Sequence, residues 1–94
     1  MVRALTFAER RRAKIQARQD FDRACRECEL ARLHVEDVKQ RFHAYCDRVP
    51  PSYRPGDPEF LALQAAQQQG HRQWLEAVAA KDEAELRYLA LPIG

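Results

Sequence analysis

Serine and threonine are almost missing from these 94 residues, with Ser52 and Thr6 standing alone, and glycine occurs only three times. Neither glycine nor proline interrupts residues 7–48. With so little turn-forming material, long helices joined by few connections are the natural reading. No stretch approaches the roughly 20 apolar residues of a membrane span. The opening MVRALTFAERRR carries no apolar core of the kind a signal peptide needs. The cysteines number three, an odd count that suits a reducing compartment better than a disulfide framework. Cytoplasmic residence without membrane contact is the expectation. There is no Gly-rich phosphate loop, and a lone serine makes a Ser-His-Asp arrangement barely constructible. The chain reads as non-enzymatic and free of cofactors.

What is present is helix-forming. Ala, Leu, Glu, Gln and Arg dominate, and the length allows one domain over 1–94. A compact domain of this size buries roughly 60–65% of its unfolded surface, a thin margin. The net charge of +2 is too small to imply a polyanion partner, but it is unevenly spread. Residues 1–48 hold 12 Arg/Lys against 8 Asp/Glu, whereas residues 57–94 hold 3 against 6. Complementary halves favour a side-by-side arrangement.

A first helix is expected over about 6–48. Thr6-Phe7-Ala8-Glu9 fits a capping box at its start. Heptads counted from Phe7 place Phe7, Lys14, Phe21, Cys28, Val35, Phe42 and Val49 at position a. Position d then reads Arg10, Ala17, Ala24, Ala31, Val38 and Tyr45. From Ala17 onward every a and d residue is apolar, which is the pattern of a coiled-coil seam. Before Ala17 the seam turns polar at Arg10 and Lys14, so the first turns are expected to lack a packing partner. Leu30 and Leu33 fall off the seam and form a second apolar strip.

Residues 49–57 form the one clear break. Pro50 and Pro51 stop the first helix, and Asp57-Pro58 pairs an N-cap with proline at the first helical position. A second helix is expected from Pro58 to about Leu91. One of its stripes runs Phe60, Leu63, Gln67, Gly70, Trp74, Ala77, Lys81, Ala84, Tyr88. A neighbouring stripe runs Leu61, Gln64, His71, Leu75, Val78, Asp82, Leu86, Leu89. The run Gln67–His71 is the weakest helical part, and the sequence leaves a break at Gly70 open.

The fold class that follows is all-α: a two-helix antiparallel coiled-coil hairpin that dimerises into a four-helix bundle. Its seam is expected to use Phe21, Cys28, Val35, Val38, Phe42, Tyr45, Phe60, Leu63 and Trp74. Two helices share one contact strip, so Leu30, Leu33, Leu75, Val78, Leu86 and Leu89 are the candidate oligomer or partner face. At about 1.5 Å per residue the second helix is the shorter, reaching only to around residue 16 of the first. The overhang carries Arg10, Arg11, Arg12 and Lys14, which with Arg18 are the candidates for binding a polyanion such as nucleic acid. Tyr53 and Arg54 on the stiff linker are residue types found at binding hot spots.

Metal chemistry is tested by geometry. Cys25, Cys28, His43 and Cys46 have a zinc-like spacing, but an unbroken helix sets Cys28 and His43 about 22 Å apart, beyond the reach of one ion. The Glu-x-x-His pair of di-metal bundles is absent, since Ala31, Gln40 and Gln68 precede the three histidines by three residues. The expected function is a non-catalytic helical protein–protein interaction module, an adaptor, regulator or inhibitor that homodimerises and binds a further protein. The alternative is a small nucleic-acid-associated protein using the basic start of the first helix.

Overall fold

The computed structural model describes residues 4–92, and residues 1–3 and 93–94 lie outside the described part. Two helices account for most of it: α1, Phe7–Arg48, and α2, Pro58–Ala90, with a single 3-10 turn at Pro51–Tyr53 between them. The chain is an antiparallel helical hairpin.

Local chemistry sets each boundary. Thr6 stays extended at the start of α1, and its hydroxyl accepts the Glu9 N–H at 3.1 Å. Val49 turns extended ahead of Pro50 and ends the helix. The chain then reverses through Arg54-Pro55-Gly56-Asp57, where the Asp57 N–H donates to the Arg54 carbonyl at 3.1 Å. Proline second and glycine third is the signature of a tight turn that needs a positive φ, and Gly56 supplies it at +83°. Asp57 then caps α2 by accepting the Glu59 N–H at 3.1 Å.

Three contacts share one register. Lys14 meets Leu91, Val35 meets Gly70, and Tyr45 meets Phe60. The same register sets Trp74 against Ala31, Tyr88 against Ala17 and Phe21 against Ala84. A large side chain on one helix thus faces a small one on the other, which lets the helices fill the seam without spreading. Aromatic pairs close both ends: Phe42 and Tyr45 on Phe60 near the turn, and Phe21 stacked with Tyr88 at the far end. The buried apolar side chains among the described residues are few, Ala24, Val38, Tyr45 and Ala84, and of these Tyr45 is fully enclosed.

The chain passes through Gly70 without a break, so α2 is one continuous helix. Gly70 is buried because the helices approach closely there. A Cβ built on it would stand 3.5 Å from His34 and 3.7 Å from Val35, ordinary contact distances. Of the ion pairs among the described residues, Arg48–Glu59 at 2.7 Å is the one that bridges the helices. Glu83 pairs within its own helix with Arg87. The opposite charge of the two halves is therefore not converted into rungs along the seam.

Polar clamps hold each end of the ribbon. At the turn, the Tyr45 hydroxyl donates to Asp57 at 2.5 Å, so one carboxylate caps α2 and grips α1. Arg54 folds back to donate to the Val49 and Cys46 carbonyls, at 3.0 and 2.9 Å. At the open end, Lys14 donates to the Tyr88 and Leu91 carbonyls, at 2.6 and 2.9 Å, and lies 4.0 Å from the centre of the Tyr88 ring. Both helix C-termini, with their unpaired carbonyls and negative dipole ends, thus receive a cation.

Two outcomes follow. Gly70→Ala places a methyl in ordinary contact and removes glycine's helix penalty, so it raises unfolding free energy by about 0.5–1 kcal/mol in urea titration. Unchanged or lowered stability would mean that the helices have no room for it. Burial first, then the Asp57 hydrogen bond, pushes the Tyr45 phenol from 10 up to about 12. Folding holds this proton more tightly, so its contribution is complete below pH 10 and drains away as pH rises towards 12. Tyr45→Phe abolishes that part of the alkaline stability loss in thermal melts.

Candidate functional site

Each sequence-selected residue has a definite place. Phe21, Cys28, Val35, Val38, Phe42, Tyr45, Phe60, Leu63 and Trp74 are all buried or half-buried between the helices. Counting α2 in heptads from Phe60, its seam occupies a and d through to Leu91, with Gln67 and Lys81 included and half-buried. The stripe containing Phe60 faces α1, and the stripe containing Leu61 does not.

That leaves a row of apolar side chains on the outer flank of α2. Leu61, Leu75 and Leu89 fall together at position b, Leu86 at f and Val78 at e. Leu86 is 68% exposed and Leu89 64%, and about half of Leu61 and Leu75 is also open to solvent. Val78 is half-buried because e borders the seam. On α1, Ile15 falls at b, Leu33 at f and Leu30 at c. The six residues selected as a partner face therefore do not form one surface. Leu30, at c, is turned to the opposite side of the ribbon from the α2 leucines.

A shallow groove of about 310 Å³ opens between the helices where Ala66 and Gly70 leave space beside Val38 and Phe42. Lys39 at e and His43 at b line it from α1, and His71 at e from α2. The e and b flanks of both helices thus border one broad face. That face carries the α2 leucines, Ile15 and the groove.

The basic cluster is smaller than its five members suggest. Lys14 is spent on the end of α2, and Arg18 pairs with Asp22 at 3.5 Å while making a long 3.5 Å contact to the Tyr88 hydroxyl. Lys14 was expected to stand in the unpartnered overhang. Its long stem instead lets the ammonium cross the ring of Tyr88 and reach carbonyls at the end of α2. Arg10, Arg11 and Arg12 remain exposed beyond it, on the turns of α1 that outrun α2. The linker pair separates likewise: Tyr53 is 73% exposed, whereas Arg54 is half-buried in capping α1.

Cys25, Cys28 and Cys46 are free thiols spread along the unbroken α1. No group of three or more His, Cys, Asp or Glu among the described residues is placed to hold a metal ion. No described helix is long and apolar enough to cross a membrane.

The surface area is large for the chain's mass. The chain exposes 7334 Å², whereas a compact monomer of 10.9 kDa exposes roughly 5,600 Å². The excess is about twice what one partner buries in a standard interface, near 800 Å². A ribbon of 67 × 24 × 14 Å is one helix thick, and this dimension is why so little is enclosed.

No family model, no curated protein and no solved structure matches this chain, so its function is read from this surface alone.

Proposed function

We propose that this chain is a non-catalytic helical protein–protein interaction module that works as a homodimer, its hairpins joining to form a four-helix bundle. It serves a cytoplasmic protein partner as an adaptor, regulator or inhibitor. One observation supports the reading above the others: the row Leu61, Leu75, Leu86 and Leu89 lies open on one flank of a ribbon only one helix thick. Large apolar side chains gathered on one exposed flank are candidates for an interaction site. A second copy is the simplest cover, since closed two-fold dimers are the commonest oligomers. The exposed Tyr53 at the turn, far from that flank's open end, stays available to a further protein.

Sedimentation equilibrium over a wide concentration range checks the reading. The wild-type chain reaches the mass of two chains. A Leu75→Lys/Leu86→Lys/Leu89→Lys variant keeps its helicity but sediments as one, because these side chains take no part in the internal seam. A wild-type chain that stays monomeric at high concentration, indistinguishable from the variant, would overturn it.

A further inference from the structure

Two exposed segments at the open end of the hairpin are complementary. The first is residues 5–13, the start of α1 beyond the end of α2 together with the two residues that lead into it. It presents Leu5 and Phe7, both about half exposed, with Ile15 about two turns beyond Phe7, and Arg10, Arg11 and Arg12 between them. These three arginines make no ion pair among the described residues. The second is the outer flank of α2 over residues 82–89, where Leu86 and Leu89 alternate with Asp82 and Glu85. Those two carboxylates are likewise exposed and unpaired among the described residues. Counting charges, residues 4–13 hold three Arg against Glu9, a net of +2. Residues 75–90 hold Glu76, Asp82, Glu83 and Glu85 against Lys81 and Arg87, a net of −2.

The two segments cannot meet within one chain. The overhang begins where α2 ends, since Lys14 already caps Leu91. They also match in length: Phe7–Ala13 and Asp82–Leu89 each span about 10 Å of helix. A dimer joined through α2 alone would press two acidic flanks together, whereas one that sets each overhang on the other's α2 pairs opposite charges twice.

We propose that the α1 overhang of one copy packs on the Asp82–Leu89 flank of a second copy, and reciprocally. The two hairpins then join open end to open end over a short overlap, each overhang lying against the two helices of the other hairpin. This rests on the homodimer reading above and names the surfaces that make it. Joined in this way, the overhang and the flank run in the same direction. Arg10, Arg11 and Arg12 therefore lie along Glu85–Leu89, their long side chains reaching Glu85 and Asp82, and Leu5 and Phe7 extend over the Asp82 end. Because the charges lie at a solvated rim, association weakens as salt rises.

A charge-swap experiment tests this with the full chain. Variant one is Arg10→Glu/Arg11→Glu/Arg12→Glu, and variant two is Asp82→Lys/Glu85→Lys. All five positions are exposed, and circular dichroism verifies that each variant remains helical. Each variant alone associates more weakly than wild type, by on the order of tenfold or more in Kd. An equimolar mixture regains wild-type affinity, because in the mixed dimer both contacts pair opposite charges again. Recovery on mixing requires the two segments to meet between chains. If wild type dimerises and both variants dimerise equally well, the homodimer reading stands and this assignment fails. If wild type is monomeric, both fail. If the arginine reversal removes binding to duplex DNA at low salt yet leaves dimerisation untouched, the overhang belongs to nucleic acid, and the assignment is again overturned.

Discussion

Two helices lying side by side share one line of contact, and each can bury a single stripe of its surface along it. Everything else about this chain follows from that limit. The line must be well made, so large side chains face small ones: Trp74 against Ala31, Phe21 against Ala84. The line has two ends, and an isolated pair of helices would fray at both. Tyr45, Asp57 and Arg54 hold one end, while Lys14 and Tyr88 hold the other. A second stripe on either helix has nothing within the chain to cover it.

The clamps show how a thin fold compensates for a small core. Only a handful of the described apolar side chains are buried, and the hydrophobic gain from so few is modest. Each clamp does two tasks with one residue. Asp57 starts α2 and accepts from α1, and Lys14 lies across an aromatic ring while capping the helix behind it. The carbonyls that a helix leaves unpaired at its C-terminus become the attachment points for the other limb.

Much of this was legible in the residues, though unequally. The α1 seam could be read directly, because apolar residues at a and d recur for more than four heptads without a breaker. The helix ends were equally plain in Thr6, Pro50 and the Asp57-Pro58 pair. The α2 seam was harder, since it includes Gln67, Gly70 and Lys81 and competes with a neighbouring stripe richer in leucine. Which stripe faces α1 depends on how the turn delivers Phe60 to Tyr45, and no local pattern carries that. Lys14 and Arg54 were misplaced for a related reason. A cation reads as solvent-facing until one knows that a helix C-terminus lands within reach of its stem. Grouping Leu30 with the α2 leucines failed because apolar character alone does not say on which side of a ribbon a residue lies.

The picture is of a rod whose interior is complete and whose flank is not. Arg10, Arg11, Arg12, Leu86 and Leu89 at its open end take no part in the seam, and the proposed joint pairs the arginines with the acidic flank of α2 in a second copy. Small-angle X-ray scattering over a concentration series tests this most directly, because it reports particle mass and cross-section together. The account predicts a two-chain particle thicker than one helix at its joint. Scattering that fits a single 67 × 24 × 14 Å ribbon at every concentration would contradict it.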